Sequence, residues 1–272
     1  MALNRQKTFY SRIAAYGIAS GYSITDEGQV LAGVRENGVQ VARPSAGSST
    51  HKTLDGVEVG TEEIVGFSYN TSFRATTRVE MALVTVPTIG SGAIGTVSLP
   101  RTSLNSGSVR VVLTATNAAL TVDAVTATPL SVTSGHVAVW LAKGLFYFNA
   151  ANTDASVLIT YRYTLSATEL ALFVREAHPN ANSTPFLESI QVVRGNGDLF
   201  TDWFDTTADY SSATKLYAGP NGLVTSQPND GQGTPALYYA PISGSEILQT
   251  PTIDDDANLQ FGVTLGFRYN IG

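Results

Sequence analysis

The stretch LQFGVTLGFRYN, residues 259–270, decides the fold class of this chain. Apolar or aromatic residues occupy every second position, and polar residues or glycine occupy the positions between them. Successive side chains of a strand point to opposite faces of the sheet, so this period of two predicts a strand with one buried face. The predicted buried set is Leu259, Phe261, Val263, Leu265, Phe267 and Tyr269.

Shorter runs upstream carry the same signal. They are rich in Val, Ile, Thr, Phe and Tyr and are separated by turn residues, among the 25 Gly and 11 Pro of the chain. The runs are residues 64–70, 78–87, 95–100, 108–116, 120–127, 136–150 and 156–165. This pattern predicts a mainly β protein, an antiparallel β-sandwich or jelly-roll-like domain or domains. No repeat of fixed period is visible, which argues against a solenoid or a propeller.

One short helix is predicted near residues 167–177. Ser166 has the position of an N-cap, Glu169 follows three residues later as in a capping box, and Pro179 ends the segment. Leu170 and Phe173 fall on one helical face. The expected role of this helix is structural.

Three segments are predicted along the chain. Residues 1–60 form an extended N-terminal arm with loose β hairpins, which complete a sheet later in this chain or in a neighbouring one. Residues 61–185 form a β-sandwich domain, and residues 186–272 form a C-terminal β domain. Within the latter, SIQVVRGNGDLFTDWF predicts two strands that meet at residues 195–198.

Composition excludes several functions. The 272 residues include no Cys, so disulfides, thiolate metal ligands and catalytic thiols are absent. A net charge of -6 and the lack of a basic stripe argue against nucleic-acid binding. No apolar run reaches the length of a membrane span, and the N-terminal residues do not form a signal peptide, so a soluble chain made in a host cytoplasm is expected.

Residues capable of catalysis or metal binding are present but poorly arranged. The histidines lie far apart in sequence, the acidic run lacks the alternation of a calcium loop, and a denser acidic group has the composition of a glycosidase acid and base without a defined spacing. GSGAIGT, residues 90–96, is predicted to be a loop between strands, not a phosphate site. No cofactor, metal or catalytic residue is expected. These three groups are His51, His136 and His178; Asp254, Asp255 and Asp256; and Glu188, Asp198, Asp202, Asp205 and Asp209.

Aromatic residues are interleaved with the denser acidic group. Such rings pack in β cores and subunit interfaces, and they also form sugar-binding platforms. Core or interface packing is the favoured interpretation, and a glycan platform is the alternative. The residues concerned are Phe200, Trp203, Phe204, Tyr210 and Tyr217.

The most distinctive segment is KLYAGPNGLVTSQPNDGQG, residues 215–233. It predicts a structural turn formed by Gly219, Pro220, Asn221 and Gly222, because Pro fixes its own φ and Asn or Gly accepts the positive φ of a tight turn. The run that contains Gly231 is predicted to be looser.

Together with GTPALYYAP and the closing LQFGVTLGFRYN, this segment resembles the C-terminal part of head structural proteins of tailed bacteriophages, the capsid decoration or cement class. The turn-rich K-L-Y-A-G-x-N-G-L segment and the ending PTIDDDANLQFGV carry the resemblance. GQVLAGVRENGVQVARPSAG and GVEVGTEEIVGFSYN are similar to the N-terminal β elements of those proteins. The middle, about residues 79–185, has no counterpart in that pattern and is interpreted as an inserted sandwich.

The resemblance implies a virion structural protein on the capsid surface that fills contacts between major capsid protein subunits. Its expected partners are the major capsid protein and further copies of itself, with a trimer favoured by threefold positions on icosahedral shells. The alternative is a tail, collar or fibre protein with glycan-binding aromatic residues near Trp203. An enzyme on a β scaffold is the least favoured hypothesis.

Overall fold

The computed structural model describes residues 15–20, 30–36, 39–41, 59, 62–68, 77–169, 189–231, 238–252 and 263–271. The chain divides into two compact units. One is continuous, Thr77–Ser166, and is called the inserted unit; the other combines Met1–Thr76 with Ala167–Gly272 and is called the split unit. Both consist mainly of strands, which confirms the predicted fold class.

This division differs from the three predicted segments. Strand β4 (Glu62–Ser68) was assigned to the sandwich, but it pairs with β2 (Val30–Glu36) and β12 (Ser189–Thr201) and so belongs to the split unit. The pattern of β4 gives its burial, whereas its partners lie far away in sequence. The inserted unit is accordingly shorter than the predicted 61–185 domain.

The inserted unit contains one seven-stranded sheet in the order β5-β11-β7-β8-β9-β10-β6. Its strands are β5 (Thr77–Thr85), β6 (Ile94–Ser98), β7 (Arg110–Leu113), β8 (Ala118–Ala124), β9 (His136–Trp140), β10 (Leu145–Asn149) and β11 (Ser156–Thr164). Every upstream run predicted from residue 78 onward contains at least one of these strands; the run 136–150 contains the hairpin β9–β10. Thr77 pairs with Thr164, so the chain enters and leaves this unit at neighbouring positions.

Strand β8 joins the two halves of this sheet. Its first residues pair antiparallel with β7, and Thr121–Ala124 pair parallel with β9. Side chains from both halves meet in one core cluster, which includes Val111, Val137, Phe148 and Ile159 with no exposed surface. The sheet therefore curls around its own core, as in a sandwich.

The split unit contains a second seven-stranded sheet, in the order β15-β16-β12-β4-β2-β3, with β1 also paired to β12. The strands not yet introduced are β1 (Ala15–Ser20), β3 (Val39–Val41), β15 (Glu246–Thr252) and β16 (Thr264–Ile271). The predicted N-terminal arm thus contributes three strands to a sheet of its own chain. In the hairpin β2–β3, Glu36 pairs with Val39, so a two-residue turn joins the strands. Residues 1–14, 21–29 and 42–58 lie outside the described part of the chain.

The prediction of two strands meeting at residues 195–198 was wrong. β12 runs through this sequence without a turn, but its partners change there: Ser189–Arg194 pair with β1, and Gly195–Thr201 pair with β16. Gly195 has φ of 85°, which a residue with a side chain rarely adopts. The glycine-rich pattern marks a change of partner within one strand, a feature that local sequence does not distinguish from a hairpin turn.

The period-two pattern of residues 259–270 is confirmed where the structure describes it. In and before β16, Val263, Leu265, Phe267 and Tyr269 are all buried, while Arg268 and Asn270 are exposed. Leu259 and Phe261 lie outside the described residues. The neighbouring strand β15 was not predicted, because its sequence EILQTPT lacks clear alternation; the strand is irregular, with two register shifts against β16.

The predicted helix begins where the capping signal places it. Residues 167–169 are helical and follow Ser166 directly. The other residues of the predicted helix lie outside the described part.

Candidate functional site

The distinctive segment forms a compact hairpin. Strands β13 (Tyr217–Ala218) and β14 (Val224–Thr225) pair antiparallel and are joined by a 3₁₀ helix, Pro220–Gly222. The Leu223 amide donates to the carbonyl of Pro220 at 3.0 Å, and the Gly219 amide donates to the carbonyl of Leu223 at 2.8 Å. Gly222 has φ of 70°. The predicted turn therefore has the special backbone geometry that its glycine and proline indicated.

The hairpin is enclosed by its own unit on both sides. On the β14 side, the Val224 amide donates to the carbonyl of Trp203 and the Asp205 amide donates to the carbonyl of Val224. On the β13 side, the Ala218 amide donates to the carbonyl of Ala240. Ala218 and Val224 have no exposed surface. These turns organise the interior of the split unit instead of projecting from it.

The aromatic residues of the suggested glycan platform are core residues. Trp203, Phe204 and Tyr210 are between 1% and 7% exposed, and Tyr217 is half-buried. The rings of Phe204 and Tyr210 pack edge to face, with centroids 5.8 Å apart. The Tyr210 hydroxyl lies 2.8 Å from the carbonyl oxygen of Val224, which ties this ring to the hairpin. A sugar stacks on an exposed ring face, and these three rings do not present one.

The carboxylate of Asp205 is held by local donors. Its Oδ1 accepts from the Thr207 amide at 2.9 Å and from the Thr207 hydroxyl at 2.7 Å, and its Oδ2 accepts from the Thr225 hydroxyl at 3.2 Å. Side-chain bonds of this kind to the backbone two residues later are Asx turns. Asp205 thus connects the loop after β12 to the hairpin.

Two more acidic residues have comparable local roles. Asp209 accepts from the amide and the hydroxyl of Ser211, and Asp198 forms an ion pair with Arg268 directly across the strand pair β12–β16. Asp202 is buried. Glu188 lies outside the described residues. The described members of this acidic group support the fold of the split unit, and the geometry gives none of them a defined acid or base role.

The other candidates do not come together. His136 forms a 2.8 Å contact through Nδ1 with Asp123 on the surface of the inserted unit. His51, His178 and the acidic run 254–256 lie outside the described residues. Across the described ranges, no group of three or more His, Asp or Glu side chains could hold a metal ion. Residues 90–93 form a turn before β6, as predicted for GSGAIGT.

One polar network in the inserted unit was missed by the sequence reasoning. Glu80 accepts from Arg101 Nε at 2.8 Å through Oε1 and from the Tyr161 hydroxyl at 2.7 Å through Oε2. The Arg101 guanidinium also lies over the ring of Tyr163, 4.6 Å from its centroid. Burial, followed by the bond to Glu80 and its charge, raises the pKa of Tyr161 well above the usual range. Only the pairing of β5 with β11 brings Glu80 opposite Tyr161.

Exposed apolar side chains were also missed. Leu130 is 100% exposed, and the other large apolar side chains exposed in the described part, Val59, Leu83, Tyr238 and Leu248, range from 40% to 61%. Single exposed apolar residues carry no sequence signal, because a Leu in a loop and a Leu in a core have the same letter.

Comparison of the chain with family models, curated proteins and solved structures finds no match. Among the described residues, no helix has both the length and the apolar character needed to span a membrane. The functional argument therefore depends on the geometry above and on the resemblance carried by the quoted motifs.

Proposed function

We propose that this protein is a structural protein of a bacteriophage virion, a decoration or cement protein that stabilises the head by filling contacts between major capsid protein subunits. The resemblance of the hairpin segment and of the C-terminal strand to head structural proteins supports this assignment. It also implies a homo-oligomer, with a trimer favoured, on the outer surface of the shell.

One observation supports a structural role over a catalytic one. Asp205, the central residue of the densest acidic group, has both carboxylate oxygens occupied by donors of its own loop and hairpin. A general acid or base must instead reach a substrate proton within hydrogen-bond distance. This geometry favours a role for Asp205 in the architecture of the unit.

The burial of the aromatic residues favours attachment to a shell over glycan binding. Trp203, Phe204 and Tyr210 pack inside the split unit, so the feature that supported a glycan-binding tail or fibre protein is absent from the described surface. The tail, collar or fibre alternative then has no specific geometric support.

Attachment at many equivalent sites suits the composition of this chain. Charged residues make up only 14%, so contacts with a shell would be largely uncharged and individually weak. A symmetric lattice converts many weak contacts into stable binding through avidity.

The test compares particles assembled with and without this protein. We expect heads that lack it to assemble but to release their DNA at a lower temperature, and purified protein to restore the wild-type release temperature. Binding should saturate at a fixed ratio to the capsid protein and should weaken only modestly with salt, because few cation–phosphate contacts are involved.

A matched measurement separates the alternative. Labelled protein is added in parallel to empty heads, to isolated tails and to host-cell surface glycans. Binding to tails or glycans with bare heads would refute the decoration assignment and favour the tail or fibre alternative.

A further inference from the structure

The connection between β8 and β9 has an unusual task. These neighbouring strands are parallel, so residues 125–135 must return along the length of the sheet before β9 can begin. The connection contains no helix or strand and packs its own side chains on the sheet. Val132 is 7% exposed and clusters with Ala138 of β9 and Tyr147 of β10.

Two contacts hold the loop on either side of its tip. Thr128 Oγ1 lies 3.3 Å from the Tyr147 hydroxyl, and Asn149 Nδ2 donates to the carbonyl of Val132 at 2.5 Å. Pro129, between the first contact and the tip, has a fixed φ. The tip residue Leu130 is therefore presented by a braced segment.

Leu130 differs from the other exposed apolar residues. Its side chain is 100% exposed, whereas Leu83, in the same unit, is 61% exposed and retains contacts within its strand pair. An isolated exposed Leu is ordinary on a protein surface, but a wholly exposed one on a braced loop has the properties of an interface anchor. Bracing lowers the entropy lost when such an anchor becomes ordered on binding.

The chemistry of the loop defines its partner. Residues 124–135, AVTATPLSVTSG, include no charged side chain. A complementary site would be an apolar pocket with an uncharged rim, because a charge in that rim would lose water without gaining an opposite charge. We infer that Leu130 is the anchor by which the inserted unit docks into an uncharged apolar pocket of the capsid shell protein. This inference rests on the proposed function, which supplies the shell as partner.

The experiment measures binding of the full-length protein to empty heads that lack it. Leu130→Ala should weaken the apparent affinity about tenfold or more, the effect expected when a buried Leu side chain is lost from an interface. Leu130→Asp should abolish saturable binding, because a carboxylate would enter an apolar pocket. Leu83→Ala, the matched control, should stay within about twofold of wild type. All three variants should melt within about 2 °C of wild type, because surface substitutions change stability little.

The outcomes separate the inference from the proposed function. If wild type binds heads and Leu130→Asp binds equally well, the anchor assignment is wrong while the decoration role stands. If wild type leaves heads bare, both are wrong. If Leu130→Asp instead converts an oligomer to a monomer in sedimentation analysis and the monomer still binds heads, the loop contacts a second copy of this chain, and the shell assignment is overturned.

Discussion

The two units reach similar β architectures by different routes. The inserted unit uses one continuous segment whose ends meet at Thr77 and Thr164, so all its partners lie within 90 residues of chain. The split unit is organised around β12, which pairs with β1 and β4 from the N-terminal part and with β16 from the C-terminal part. The strands of the first can be recognised and grouped from sequence, whereas the grouping in the second depends on pairings such as Ala15 with Arg194.

Their cores differ as well. The inserted unit is filled by aliphatic residues and a few rings from six strands. In the split unit, Phe67 of β4 packs edge to face against Phe267 and Tyr269 of β16, with centroids 5.7 and 4.8 Å away. This aromatic contact links segments from both ends of the chain, and its loss should therefore affect the split unit most.

The largest expected effect comes from removing that contact. Phe267→Ala should cost about 3 to 5 kcal/mol, because Phe267 is fully buried and a cavity would remain. Phe148→Ala is the matched variant in the inserted unit, where Phe148 is equally buried. Hydrogen exchange measured strand by strand should show each substitution lowering protection in its own unit. Equal loss of protection in β16 and β10 from either variant would contradict the division into two units.

A smaller but still severe effect is expected at Gly144. Its φ is 64°, and a Cβ there would lie 2.0 Å from the carbonyl oxygen of Arg101, a backbone atom with little freedom to move. We expect Gly144→Ala to cost about 2 to 4 kcal/mol from backbone strain and overpacking together. Denaturant unfolding measures this cost.

Gly90→Ala is the control for Gly144. A Cβ at Gly90 meets nothing within 4 Å. Its unfolding midpoint should stay close to that of wild type. A similar loss of stability in both variants would show that close approach at Gly144 has no special importance for the inserted unit.

The turn of the split unit gives the next effect. Gly222→Val should cost about 1 to 3 kcal/mol, because Val is strained at φ of 70°. Gly222→Asn should cost less, since Asn accepts left-handed angles. Gly231 was predicted to tolerate Val, but it also has φ of 63°, so Gly231→Val carries a backbone cost despite the open space around it. Equal denaturation midpoints for Gly222→Val and Gly222→Asn would contradict the role of this angle.

The smallest effect concerns the polar network of the inserted unit. Tyr161→Phe removes one hydrogen bond to Glu80 and should cost about 1 kcal/mol at neutral pH. The pKa of Tyr161 is raised on folding, so its contribution to stability is complete below the unfolded value of about 10 and decreases as pH rises above it.

The pH dependence is measured as a difference. The stability gap between wild type and Tyr161→Phe should narrow from pH 9 to pH 11 for this reason, with Tyr217→Phe, at a half-buried position in the split unit, as the control. A gap that widens over this interval would show that the ionised Tyr161 is better accommodated than the neutral form.

Much of the fold was predictable from local pattern. Alternation identified β16 and the strands of the inserted unit, the capping residues placed the start of the helix at 167, and the GPNG sequence identified the turn before Leu223. β15 was missed because its irregular pairing leaves no alternation. The candidate site was predictable only as a turn, since the pattern that surrounds Trp203 is the same for a core ring and for an exposed ring.

The sequence by itself determined the mainly β class, the absence of cysteine chemistry and the low charge of the chain, because these follow from composition and from the period of a strand. Tertiary structure alone decided that β12 exchanges one partner for another at Gly195, that the aromatic residues near the hairpin are buried, and that Leu130 is exposed. The physical reason is that strand pairing and burial depend on which distant segments meet. A residue's own neighbours in sequence fix its backbone preference, but they do not specify the surface that covers it.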